Sequence, residues 1–238
     1  MSRRRGAHSI TARVQIGGFI LGERFAVYTT RQTQAKYLAR WTLFNKVLTV
    51  HGNIFECGVL EGQGLMSWAN FSAILEPYNH QRLIVGVDTF EGIQELDEKD
   101  NGGDNPENKL AGFKQNYDVV ADLRASINNF DCNRPIGHME KVKLLKGKAE
   151  DTLPTYLGEH PETMCALLSL DYDIYKPSIT TLELLVPRMP KGAIILFDEL
   201  GNTNWPGETI AAIEYFGSIS ALEVRRFTYT PTISYVVM

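Results

Sequence analysis

Between residues 54 and 197 this chain alternates short apolar runs with stretches long enough for a helix. The apolar runs are Ile54-Phe55-Glu56-Cys57-Gly58-Val59-Leu60, Leu83-Ile84-Val85-Gly86-Val87, Val142-Lys143-Leu144-Leu145, Ala166-Leu167-Leu168-Ser169-Leu170 and Ala193-Ile194-Ile195-Leu196-Phe197. Between and around them, apolar residues recur at three-and-four spacing. Examples are Leu38, Trp41, Phe44, Val47 and Leu48; Leu65, Trp68 and Phe71; and Ile179, Leu182, Leu185 and Val186 behind Pro177-Ser178. Strand-length runs alternating with helical ones specify an α/β fold, a parallel sheet sandwiched by helices. Two closing runs, 222–229 and 233–237, are separated only by Thr230-Pro231-Thr232. That connection is too short for a helical crossover, so this last pair must be antiparallel. The expected sheet has seven strands, mostly parallel, with a C-terminal antiparallel hairpin.

Two of these runs end in acids. Leu170 is followed by Asp171-Tyr172-Asp173, and Phe197 by Asp198-Glu199. Parallel strands put their carboxyl ends on one rim, which is where open α/β sheets bind ligands. Four carboxylates crowded there repel unless they share a cation or a proton, so they read as a site for a hard divalent metal with a spare base. Turn and capping chemistry is the alternative for a single pair, but two pairs at equivalent places favour the site.

Other strand ends carry complementary signals. Gly58, Gly62 and Gly64 stand where the first strand turns into a helix, so the backbone there bends sharply or approaches a ligand closely. The second strand ends in Asp88-Thr89-Phe90-Glu91-Gly92. An acid at that tip, beyond a glycine turn at the first, is placed to accept hydrogen bonds from the ribose hydroxyls of an adenosine cofactor; a helix N-cap is the competing role. The third tip, Gly147-Lys148-Ala149, lies on the same rim and is placed to flank an adenine. The acidic stretch 93–108 reads as a long surface loop, of the kind that serves as a lid or binding loop or stays disordered.

The bulk properties fit one domain. The chain has 238 residues and a net charge of -4, which argues mildly against nucleic-acid binding. No apolar span reaches transmembrane length, and residues 1–27 show no clear period, reading as an arm before a single domain over 28–238. Gly17, Gly18 and Gly22 interrupt an apolar stretch at 16–22, which suggests self-association into a homo-oligomer. Cys57, Cys132 and Cys165 are odd in number without paired spacing, and two of them lie in strand-like runs. Buried thiols of a cytoplasmic protein are expected. The five histidines show no zinc-type pairing.

Five motifs in order resemble the macrocin O-methyltransferase (TylF-like) family of class I methyltransferases. They are Glu56-Cys57-Gly58-Val59-Leu60-Glu61-Gly62, Asp88-Thr89-Phe90-Glu91-Gly92, Gly147 to Pro154, Leu170-Asp171-Tyr172-Asp173-Ile174-Tyr175, and Phe197-Asp198-Glu199. The resemblance covers about 28–216. It implies a Rossmann-like methyltransferase fold, S-adenosylmethionine as cofactor, Mg²⁺, and a sugar hydroxyl as acceptor in natural-product biosynthesis. It further implies Asp171, Asp198 and Glu199 as metal ligands, and Asp171 or Asp173 as the base. The cofactor would be held by Glu56, Gly58, Gly62, Asp88, Thr89, Phe90, Lys148 and Ala149, with Thr29 and Thr30 closing over its methionyl end. Glu199 departs from the family's second aspartate by one methylene. Trp205-Pro206-Gly207-Glu208 is similar to the text of a branch acting on TDP-rhamnose, and Tyr175 and Trp205 offer faces for a sugar ring. Three other readings stay open: a catechol-type acceptor on the same fold, a nicotinamide oxidoreductase, and a non-catalytic binding module. The Glu56-x-Gly58-x-x-x-Gly62 spacing argues against the oxidoreductase.

Overall fold

The structure, a computed structural model, describes residues 15–16, 19–20, 25–102 and 105–238. In chain order the elements are β1 (Gln15–Ile16), β2 (Phe19–Ile20), α1 (Phe25–Tyr28), α2 (Arg31–Val47), β3 (Asn53–Cys57), α3 (Gln63–Leu75), β4 (Ile84–Asp88), α4 (Val119–Cys132), β5 (Val142–Lys146), α5 (Ala149–Glu159), β6 (Cys165–Leu170), α6 (Tyr175–Leu185), β7 (Ile194–Phe197), α7 (Pro206–Phe216), β8 (Arg225–Arg226) and β9 (Ser234–Val237). β1 and β2 pair antiparallel with each other. Most of the proposed self-association stretch at 16–22, and most of the N-terminal arm, lie outside the described residues.

The main sheet runs β5-β4-β3-β6-β7-β9-β8. Its first five strands are parallel and the last two antiparallel, as the connection lengths require. The chain leaves β3 in one direction to β4 and β5, then returns to lay β6 on the other side of β3. This reversal opens a crevice at the carboxyl ends of β3 and β6. Because side chains alternate along a strand, each strand feeds two cores. Ile54, Leu167, Ile194 and Leu196 pack on one face with Leu43, Phe44, Trp68 and Phe71 of α2 and α3. Phe55, Val85, Leu168, Ile195 and Phe197 pack on the other with α5, α6 and α7. Cys57 and Cys165 are buried free thiols, and Cys132 is exposed. No helix among the described residues is long and apolar enough to cross a membrane.

The helices differ in detail from the periodic reading. The buried face of α2 is Ala35, Ala39, Arg40, Leu43, Phe44 and Val47, whereas Leu38 is exposed. The face is rotated because Arg40 turns inward to the sheet rim. α6 begins at Tyr175 rather than Pro177, whose ring is tolerated in a first turn where the backbone N–H needs no intrahelical partner. α7 takes in Pro206-Gly207-Glu208, with Pro206 at its start. The 93–108 segment contains a short 3₁₀ turn at Glu98–Asp100. Asp100 is buried there, and its carboxylate accepts the Tyr175 backbone N–H at 2.7 Å, which ties the segment to α6.

Candidate active site

Strand register decides what meets at the crevice. Cys57 is level with Val87 and Leu170, and Leu170 with Phe197. One residue beyond that row stand Gly58, Asp88, Asp171 and Asp198, on four neighbouring strand ends. All four line a cavity of about 520 Å³. Gly58 has φ +91, and a Cβ on it would lie 1.9 Å from the Asp171 carbonyl oxygen. Only glycine lets these two strand ends run so close. At Gly64 the crowding comes from a side chain, since a Cβ would sit 1.6 Å from Glu56 Oε1.

Asp88 organises the first loop. Its Oδ2 accepts the backbone N–H groups of Val59 and Leu60 at 2.7 and 2.9 Å, and its Oδ1 accepts that of Phe90 at 2.7 Å. Glu56 is buried and accepts the Trp68 indole N–H at 2.6 Å. Burial pushes its carboxyl up, against the opposing pull of Arg40. The buried Arg40 lies 3.8 Å from both Glu56 and Asp171, and its Nε and Nη1 have no hydrogen-bond partner.

The acids of β6 and β7 share the other wall. Burial raises the Asp171 carboxyl well above the usual range, and the Asp198 and Asp173 charges add to it. Asp173 is pushed up to about 8 by burial and by the charges of Glu199 and Asp198. It also holds φ +66, a left-handed conformation uncommon for a residue with a Cβ. Asp198 is buried; its Oδ2 accepts the Lys36 ammonium at 2.6 Å, while Oδ1 has no partner. Glu199 accepts the Asn202 side-chain amide and is raised by burial. Glu208, fully buried in the first turn of α7, accepts the Glu199 backbone N–H at 3.1 Å through Oε1, and its Oε2 is unpartnered. Burial pushes it well above its ordinary value.

This donor set has the hard-oxygen chemistry of a Mg²⁺ site, but as placed it does not fit one. Among the described residues no three Asp, Glu, His or Cys side chains converge as metal ligands. Lys36 takes one Asp198 oxygen, and Glu199 is tied to its own loop.

Residues 29–217 match the family described as macrocin-O-methyltransferase (TylF). The chain belongs to that family. Its fold matches the crystal structure of CalS11, a calicheamicin methyltransferase, with TM-score 0.87 and 33% identity over 91% of this chain and 84% of that one. The apo structure of CalS11, described as a TDP-rhamnose 3'-O-methyltransferase, matches at TM-score 0.77 and 32% identity, over 91% and 85%. A curated relative from Streptomyces niveus, demethyldecarbamoylnovobiocin O-methyltransferase, is 28% identical over 154 residues, 63% of this chain and 53% of that protein. The chain thus spans about half the length of that relative.

Of the residues singled out from the sequence, Glu56, Gly58, Asp88, Thr89, Phe90, Lys148, Ala149, Asp171, Asp173, Asp198, Glu199 and Trp205 all line the one cavity. Four do not. Thr29 donates its hydroxyl to the Phe25 carbonyl at 2.6 Å, and Thr30 caps α2. Gly62 starts α3 at φ +87 against Leu123. Tyr175 turns outward, donating to Glu214 at 2.5 Å with Lys99 over its ring. Tyr175 is thus not among the residues lining the cavity; Trp205 does line it, its ring 5.5 Å from that of Phe113. The sequence pattern assigns no site role to Lys36, Arg40 or Glu208. The available signal for the first two was a pair of cations four apart, which share one helix face.

Proposed function

We propose that this chain transfers a methyl group from S-adenosylmethionine to a hydroxyl of a deoxysugar in antibiotic biosynthesis, with a TDP-linked sugar as the first acceptor to test. The observation that carries the reading is the single row of Gly58, Asp88, Asp171 and Asp198 opening on one cavity. Family membership and the likeness to CalS11 support it.

When bound, S-adenosylmethionine supplies a methyl group activated by a positive sulfur. The chain's own task is to align the acceptor and relieve it of its proton. The loop held by Asp88 takes the adenosine end, beside Lys148 and Ala149. Glu56 and Arg40 present opposite charges that suit the two charged groups of the methionyl end. Asp173 takes the hydroxyl proton, because a base held near neutrality is the one that accepts it and gives it up again. Trp205, Phe113 and Ile93 form an apolar wall that excludes water from one side of the acceptor.

The test is label transfer from methyl-labelled S-adenosylmethionine, offered TDP-deoxysugars, finished glycosides and catechols in parallel. Transfer to a sugar is expected. Transfer confined to catechols would replace the acceptor, and no transfer to any of them would remove the reading.

A further inference from the structure

We infer that Asp100, buried outside the cavity, is the positioning residue of the acceptor wall: it joins the three chain segments that carry Ile174, Trp205 and Phe113, and so sets where a sugar stands opposite Asp173. The inference rests on the methyltransferase reading above and deepens it.

The wall is a small apolar cluster apart from the two main cores. Ile93, Ile174 and Trp205 are its buried members, with Phe113 and Tyr172 packed against them. All five line the cavity, yet they come from separate places in the chain and none stands on a strand. Apolar contact has no direction, so it does not by itself fix such segments in one arrangement. Hydrogen bonds and close backbone approach must do so.

Asp100 supplies them. It is 2% exposed and is not among the residues lining the cavity. A buried carboxylate needs partners, and both of its oxygens have one. Oδ1 accepts the Tyr175 backbone N–H at 2.7 Å, at the first residue of α6, one past Ile174 and two past Asp173. Oδ2 accepts the Asp97 backbone N–H at 2.8 Å and closes the turn that carries Asp100. The Asp100 carbonyl accepts the Asn108 side-chain amide at 2.7 Å. From Asn108 the chain runs to Gly112, whose carbonyl accepts the Ile93 backbone N–H at 3.0 Å, and then to Phe113. The third segment is held by shape. A Cβ on Gly207 would lie 2.2 Å from Asp100 Oδ1 and 2.4 Å from the Tyr175 nitrogen, and one on Gly102 would lie 2.4 Å from the Thr203 carbonyl oxygen. The turn thus sits in a notch at the start of α7, two residues past Trp205. Lys99 pins the outside of the same joint, 2.8 Å from Glu214 of α7 and over the Tyr175 ring.

One carboxylate therefore ties the segment of Asp173 and Ile174 to that of Trp205 and to that of Ile93 and Phe113. In-line transfer needs donor and acceptor closely aligned, and this wall sets the acceptor side. The cofactor side is built elsewhere, on the loop that Asp88 holds. Loss of Asp100 should therefore show at the acceptor and not at the cofactor.

The test uses the full chain as wild type, D100A, D100N and N108A. The measurements are label transfer to a TDP-deoxysugar, calorimetry with S-adenosylmethionine, and hydrogen exchange. D100A should raise the acceptor KM about tenfold or more, with cofactor affinity unchanged. D100N keeps one carbonyl oxygen for the Tyr175 N–H and should fall between wild type and D100A. N108A removes one bond and leaves the carboxylate in place, so it should raise the acceptor KM about threefold. Exchange in D100A should quicken at 97–101, 105–113 and 174–175 and stay unchanged in β3 and α2. An unaltered acceptor KM in D100A, a loss of cofactor affinity equal to the loss at the acceptor, or unchanged exchange at 105–113 would each overturn the inference. If D100A fails to fold, D100N and N108A decide, and an unaltered acceptor KM in both overturns it. If wild type methylates no sugar, the functional reading fails instead, and hydrogen exchange still judges Asp100.

Discussion

Asp173 makes the most demanding prediction, because it ties rate and stability to one proton. Its carboxyl is held at about 8 by burial and by Glu199 and Asp198. If Asp173 is the base, kcat/KM follows its ionised fraction, roughly 1% at pH 6, roughly 10% at pH 7 and about half at pH 8. The rate should climb about tenfold per unit below pH 7 and level off above about 8.5. The sign for stability is the reverse. An unfolded Asp ionises near 4, so between there and about 8 the folded chain keeps a proton that the unfolded chain releases. Stability is therefore greatest at the acid end of that window for this group. It falls by up to ~1.4 kcal/mol per pH unit as pH rises, and is constant beyond it. Asp173→Asn keeps the shape, tolerates φ +66 as well as Asp does, and cannot ionise. It should lower kcat by about 10²-fold or more, and at pH 8 its unfolding free energy in urea should exceed that of wild type by a few kcal/mol. The assays are initial rates of label transfer from pH 5.5 to 9.5 and urea unfolding at pH 5 and 8. A flat rate profile, a midpoint near 4, or a profile abolished by Asp171→Asn but kept in Asp173→Asn would refute the assignment.

Three further outcomes follow from the geometry. Gly58→Ala forces a Cβ to within 1.9 Å of the Asp171 carbonyl oxygen at a left-handed φ, so it should cost roughly 2–4 kcal/mol in urea unfolding; a wild-type midpoint would show that the two strand ends are not so closely packed. Asp88→Ala removes the acceptor of three backbone N–H groups and should weaken cofactor binding in calorimetry at least tenfold, whereas unchanged affinity would detach Asp88 from the cofactor loop. Tyr175→Phe loses only an outward bond to Glu214 and should leave kcat/KM within about twofold; a large loss would return Tyr175 to the acceptor site.

The succession of strands along the chain, their parallel run and the closing antiparallel pair were legible from the sequence. Those features follow from local rules: the length and polarity of an apolar run, and the length of the chain that joins it to the next. The acids at the ends of β6 and β7, the glycine turn after β3 and Asp88 after β4 were legible for the same reason, since the residues that end a strand lie on the rim whatever surrounds them. What surrounds them was not legible. Leu38 and Arg40 fit the helical period of α2 about equally well as buried residues, and packing against the sheet chose the arginine. Tyr175 stands two residues beyond Asp173, yet the start of α6 turns it out to Glu214. Above all, a row of carboxylates calls for positive charge without saying which residues bring it. Lys36, which pairs with Asp198, lies 162 residues away in the chain. Charge balance in a crevice is a sum over everything that folding brings within a few ångströms, and sequence distance carries no trace of it.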